Sequence, residues 1–179
     1  MYVFPVEAYI NLYAASGNNV VAAQVRQLQE LIAGADGQQG LPSGIMPLLP
    51  PPNSLMDRWV GFANLDFSNG QGVRYVSDSP FRQSMGVWTN ESTGYYYQGL
   101  TGNGRFYVSL WWPVSTGGLP NTAGDASPEL LGQASSSRES YDAYLLETKN
   151  ALKDLVPADW TPDLSELDAM MASLTFQYE

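Results

Sequence analysis

Behind Asn19, a good N-cap, the apolar residues Val21, Val25, Leu28 and Ile32 recur at helical spacing, and Gly34 follows as a stop. This pattern predicts an amphipathic helix. Ahead of it, Val6-Glu7-Ala8-Tyr9 follows a short β-like piece and Pro5, and is compatible with strand or helix. Residues 42–53 hold Pro42, Pro47, Pro50, Pro51 and Pro52, each without an N–H donor, so an extended connector is expected there. In Trp59 to Phe67 the odd positions Trp59, Ala63, Leu65 and Phe67 are apolar, while Asn64 and Asp66 take the other parity. With a three-residue loop in the run Asn69-Gly70-Gln71-Gly72, Phe67 would face Val73, Leu65 would face Tyr75 and Asp66 would pair with Arg74.

Asn103-Gly104 is the clearest turn signal. As a two-residue type I′ loop it pairs Thr101 with Phe106 and sorts the aromatic residues by face. Tyr95, Tyr97, Phe106, Val108, Leu110 and Trp112 fall on one side, and Tyr96, Gln98, Leu100, Tyr107, Ser109 and Trp111 on the other. Residues 113–136 lack a sustained period and read as a long loop with one turn near Pro128-Glu129-Leu130-Leu131. Ser136 and Glu139 form a capping box for a helix that carries Tyr141, Tyr144, Leu145, Thr148, Leu152 and Leu155 on one face. After Pro157, Thr161-Pro162 supplies an N-cap and an N1 proline for a last helix with Leu164, Leu167, Met170 and Met171 turned inward, and Leu174 to Tyr178 alternates like a strand.

These elements describe a single α+β domain over 1–179, an antiparallel β-sheet flanked by α-helices on both faces in an α/β/α sandwich. Tyr96-Tyr97-Gln98-Gly99-Leu100-Thr101-Gly102-Asn103-Gly104-Arg105-Phe106-Tyr107-Val108-Ser109, with Gly72-Val73-Arg74-Tyr75-Val76 before it, resembles a family of secreted bacterial proteins and lipoproteins. That resemblance extends through Phe4 to Tyr9 and the proline connector; the family has no assigned activity, so it implies no site residue. The ending Ala169 to Phe176 looks like the closing helix and strand of PsbP-like or Mog1-like sandwich domains, which implies the same layered fold and a non-enzymatic accessory role.

Composition narrows the function classes. The formal charge is −10, and residues 113–179 hold three Lys/Arg against eleven Asp/Glu. Nucleic acid and anionic lipid both require a basic surface, so neither is an expected partner. No run of 18 apolar residues is present, and the start lacks the basic and long apolar regions of a signal peptide. Charged residues are 15% of the chain and only two are lysine, against about 25% charged in average soluble domains. An extracytoplasmic location is therefore expected, with any leader absent from this chain.

Without His or Cys, a Ser-His-Asp triad, a Cys-His pair and the common zinc sites cannot be assembled from this chain. A Ser-Lys dyad would have to use Lys149 or Lys153, on a helix face turned to water. Paired carboxylates for glycoside hydrolysis could come from Asp66, Asp78 and Glu91, each with a simpler reading as ion-pair partner or polar loop residue. Asp159, Asp163, Glu166 and Asp168 miss the EF-hand spacing, and Asp163 and Glu166 suit a helix N-terminus. Gly102-Asn103-Gly104 lacks the third glycine and the helix of a nucleotide loop.

No catalytic residue, cofactor or metal is therefore expected. The reading is a non-catalytic extracytoplasmic domain with a binding or structural role, its partner an unidentified protein or polysaccharide. The candidate ligand-binding residues are Tyr96, Tyr107 and Trp111, whose rings could stack on sugars if left open, as in a carbohydrate-binding module. A sheet apolar on both faces with about three helices to place favours their coverage.

Overall fold

The computed structural model of the chain describes residues 1–34, 46–49, 58–79 and 85–177. Its centre is the hairpin of β4 (Thr93–Thr101) and β5 (Phe106–Pro113), in which Tyr95 faces Trp112, Tyr97 faces Leu110 and Leu100 faces Tyr107. This is the register expected from the Asn103-Gly104 turn. The reversal itself lies one residue earlier: the Gly104 N–H donates to the Thr101 carbonyl at 2.7 Å, and Gly104 takes φ +68°. The Asn103 side chain accepts from the Arg105 N–H and from the Thr101 hydroxyl, tying the loop to itself.

β1 (Tyr2–Pro5) pairs with β5; β3 (Gly70–Asp78) pairs with β4 and β2 (Trp59–Asn64) with β3, giving an antiparallel five-stranded sheet in the order β1-β5-β4-β3-β2. Helices lie on both faces. On one, α1 (Val6–Ala14), α2 (Val20–Ala33) and residues 46–49 cover Val73, Tyr75, Tyr96, Leu100 and Tyr107. On the other, α3 (Pro128–Ser135), α4 (Arg138–Lys153) and α5 (Leu164–Ala172) cover Val76, Tyr95, Tyr97, Val108 and Leu110. The α+β sandwich read from the sequence is thus the architecture of the described residues. Val21, Val25 and Leu28 form the buried stripe of α2, and Tyr141, Tyr144, Leu145 and Leu152 that of α4.

The first hairpin departs from the sequence expectation by three residues. Phe67 bridges to Gly70, Asn64 faces Val73 and Ala63 faces Arg74. An odd slip exchanges the faces of the sheet, so Phe67 packs with Val76 and Tyr97 instead of lying beside Val73 and Tyr75. The reason lies in the glycines, which serve as strand residues instead of loop residues. A Cβ on Gly70 would stand 2.0 Å from the Phe67 ring, and one on Gly72 would stand 2.3 Å from the Tyr97 hydroxyl oxygen. Two rings fill the space that side chains would occupy, and the turn shrinks to Ser68-Asn69. A bulge between Val60 and Ala63 then returns Trp59 and Phe62 to the Tyr75 face.

Asp66 is consequently exposed, and Arg74 instead meets Asp168 on α5 at 3.3 Å and donates to the Gly61 carbonyl. Other boundaries shift as well. Val6 to Ala14 is helix. The 113–136 segment carries a strand, β6 (Ser115–Thr116), and the helix α3, capped by Ser127 and opened by Pro128. Strand β6 pairs with β7 (Trp160–Thr161). The cap of α4 is Ser137 and that of α5 is Asp163, each side chain accepting a backbone N–H of the first turn. Met171 points inward, whereas Met170 is exposed. The described closing residues, 174–177, are not a strand: Leu174 and Phe176 tuck against the core near Phe67, and Asn69 holds the Phe176 backbone through both ends of its carboxamide. Most of the 42–53 connector, including Pro50-Pro51-Pro52, lies outside the described residues.

Five buried tyrosines set the response to alkali. Burial is the largest influence on Tyr75, Tyr95, Tyr96, Tyr97 and Tyr107, and pushes each phenol well above its ordinary range. An unfolded phenol ionises near pH 10. Above that pH the unfolded chain releases protons that the folded chain retains, so the stabilisation is complete below about pH 10 and is lost as pH rises, by about 1.4 kcal/mol per tyrosine per pH unit. Tyrosinate absorbance at 295 nm should therefore rise in one steep step together with loss of the circular dichroism signal. Gradual ionisation of these five groups with the fold intact would contradict the assignment.

Candidate functional site

The three aromatic residues singled out on the outer face of the hairpin meet different fates. Tyr107 is 1% exposed and Tyr96 5% exposed, but Trp111 is 51% exposed. Tyr107 lies under α1 and α2, with the Phe4 ring stacked beside it, and its hydroxyl donates to Gln98 Oε1 at 2.9 Å. Gln98 in turn donates through Nε2 to the Tyr75 hydroxyl at 2.7 Å and to the Pro47 carbonyl. This chain of side chains fastens residues 46–49 onto the sheet, because buried polar groups need partners. Tyr96 stacks on Tyr75 with centroids 5.5 Å apart and planes 3° apart. Tyr96 and Tyr107 are therefore packing residues in this fold and are closed to a ligand.

Among the described residues Trp111 is half exposed. β1 pairs with β5 only through Phe106–Ser109, so from Leu110 to Pro113 the described residues flank β5 with β4 alone. Trp111 faces Tyr96 across β4, and a Cβ on the neighbouring Gly94 would lie 2.1 Å from Trp111 Nε1. The indole thus takes the place of the side chain that Gly94 lacks. Burial and then the Asp78 charge push the Tyr96 phenol up, and the Trp111 indole offsets part of the effect. One part of the ring is fixed by the strand while the remainder faces water. Trp112, on the opposite face, is 46% exposed.

Among the acidic candidates, Asp78 is buried in an ion pair with Arg58 at 2.7 Å, whereas Asp66 and Glu91 are exposed. Asp159 caps a short turn by accepting the Val156 N–H, Asp163 caps α5, and Asp168 accepts the Tyr95 hydroxyl at 2.8 Å. Among the described residues, no group of three or more Asp, Glu, His or Cys side chains is placed to hold a metal ion. Asn90, the head of a glycosylation-like triplet, uses its carboxamide to bridge the Thr116 and Leu119 backbone.

A concave site does occur where the sequence was read as loop. Between α3, α4 and residues 118–120 lies a cleft of about 330 Å³, with Leu119, Pro120 and Leu130 on its apolar side and Glu129, Gln133 and Glu147 among its polar lining. The signal that could have revealed it is Ser127-Pro128-Glu129, an N-cap, an N1 proline and an acidic first-turn residue, which marks α3 as a true helix.

Comparison with known protein families, with curated proteins and with solved structures found no match to this chain.

The burial difference makes a stability contrast. Tyr107→Phe leaves Gln98 Oε1 without its donor inside the sheet and should cost about 1–2 kcal/mol. Trp111→Ala removes a half-exposed ring and should cost about 2 kcal/mol, below the 3–5 kcal/mol of a fully buried tryptophan. Urea unfolding midpoints measure both; a loss of about 5 kcal/mol at Trp111 would mean that the ring is covered.

Proposed function

We propose that this protein is a non-catalytic, extracytoplasmic binding domain that uses Trp111 to stack on the sugar rings of a polysaccharide. The carrying observation is a half-exposed indole immobilised over Gly94 at the open end of β5. A sugar's C–H face is apolar and its hydroxyls are polar, so a fixed aromatic ring beside water suits it, and immobilising the ring beforehand lowers the entropic cost of binding. Low lysine content and the absence of a basic surface pattern support a neutral or cationic ligand over an anionic one. A non-catalytic role is supported by the chain's lack of His and Cys and by the engagement of Asp78 in a buried ion pair with Arg58.

The test is retention on insoluble cellulose, chitin and peptidoglycan. Wild-type protein should be retained on at least one of them, Trp111→Ala should weaken retention at least about tenfold, and Trp111→Tyr should restore part of it. Gly94→Ala, which displaces the indole while leaving it present, should also weaken retention. No retention of the wild type on any of the three, or equal retention of Trp111→Ala, would refute the reading.

A further inference from the structure

Residues 174–177 follow α5 as a run in which Leu174 and Phe176 are half-buried while Thr175 and Gln177 are exposed, the alternation of an extended chain. They lie against the Ser68-Asn69 turn, and the polar contacts there go to their main chain. The Ser68 N–H donates to the Leu174 carbonyl at 3.0 Å, Asn69 Oδ1 accepts the Phe176 N–H at 3.1 Å, and Asn69 Nδ2 donates to the Phe176 carbonyl. One carboxamide thus meets both backbone groups of one residue, as a neighbouring strand would. The side chains turned inward are Leu174 and Phe176, two positions apart; the Phe176 ring meets the Phe67 ring edge-on, with centroids 5.5 Å apart.

The groove beneath this segment is built without it. Phe67 is seated over Gly70, where a Cβ would stand 2.0 Å from its ring, and packs edge-on against Tyr97 with centroids 6.4 Å apart. Tyr97 donates to the Leu65 carbonyl at 3.0 Å, and the Asn69 carbonyl accepts the Gly102 N–H at 2.8 Å, so the turn is pinned from its other side. The covering segment is less secure. Four residues are ordered by the three hydrogen bonds to the turn and by two half-buried side chains, so lifting them costs far less than unfolding the sheet. Charge favours a replacement: Asp66 is exposed at the groove, where burial and then the Asp66 charge push the Tyr97 phenol up, while residues 174–177 are neutral.

We propose that residues 174–177 are a latch over a peptide-binding groove, which on opening takes an extended basic segment of a protein partner with apolar residues two positions apart. The partner's backbone pairs with Ser68 and Asn69 as the Leu174 and Phe176 backbone does, and its apolar side chains rest on Phe67 and Leu65. A flanking Lys or Arg faces Asp66, an attraction that the neutral latch lacks. The groove lies on the Tyr97 face of the sheet, opposite Trp111, and its use does not depend on sugar stacking.

Two measurements on the full chain test this. In native-state hydrogen exchange the Phe176 amide should exchange at least about a hundredfold faster than the amides of Tyr75 and Tyr96; exchange at the same rate would make the segment part of the cooperative core and overturn the proposal, whatever the variants do. The second is fluorescence anisotropy of a labelled peptide, Lys-Leu-Thr-Phe-Lys, in low salt at pH 7. Phe176→Ala loosens the latch and leaves the groove intact, so it should bind the peptide at least about tenfold more tightly than the wild type. Asn69→Asp also frees the latch, but its carboxylate oxygen repels a backbone carbonyl, so it should lose the binding that Phe176→Ala gains. Added salt and Asp66→Asn should each weaken binding. Equal binding by the wild type and Phe176→Ala, no binding by either, or equal binding of the control Lys-Ala-Thr-Ala-Lys would overturn the proposal. Trp111→Ala should leave peptide binding unchanged, so this reading and polysaccharide retention fail separately.

Discussion

A phenol hydroxyl buried in the middle of a sheet has lost its water and must find another partner. Strands β3, β4 and β5 carry Tyr75, Tyr95, Tyr96, Tyr97 and Tyr107, all under 9% exposed, so the molecule is organised around satisfying them. Tyr107 and Tyr75 share Gln98, which also draws in the Pro47 carbonyl. Tyr97 donates to the Leu65 carbonyl just beyond β2, and Tyr95 donates to Asp168 on α5, where Arg74 balances the charge. Through these bonds residues 46–49, the chain just beyond β2 and α5 are each attached to the sheet, and the covering layers are held by specific bonds in addition to apolar contact.

Glycine provides the space that this aromatic content requires. Gly70, Gly72 and Gly94 each lie where a Cβ would collide with a ring, from Phe67, Tyr97 and Trp111 respectively. A strand glycine ordinarily weakens a sheet by exposing backbone and packing nothing; a ring laid across it recovers the missing contact. The same device serves two ends. At Gly70 and Gly72 it sets a register and closes the core, whereas at Gly94 it lies against a ring that remains half in water.

Trp111 and the concave site beside α3 differ in how they arise. Trp111 projects from a regular strand, beside Gly94 on β4. The cleft beside α3 is made by a helix docking on α4, so its residues come from positions as far apart in sequence as Leu119 and Ala151. Its acidic lining agrees with the concentration of carboxylates in the C-terminal third, and its floor belongs to the same apolar cluster that holds Tyr144 and Leu145.

Periodicity and turn chemistry were enough to determine the local structure of this chain where a single pattern dominated. The i, i+4, i+7 stripe of α2 and the Tyr141 to Leu152 face of α4 are helical, and the pairing of β4 with β5 follows from Asn103-Gly104, since neighbours in sequence set those patterns. Tertiary contacts decided the rest. Whether Gly70 and Gly72 belonged to a turn or a strand depended on where the Phe67 and Tyr97 rings would lie, and that choice moved the β2–β3 register and redirected Arg74 from Asp66 to Asp168. The alternation of β5 placed Tyr107 and Trp111 on one face but could not say that one would be buried and the other open, because burial depends on how far β1 and the helices reach. Likewise, Glu129 and Glu147 came to share a cleft only when α3 packed on α4, a long-range event that leaves no periodic trace in the sequence.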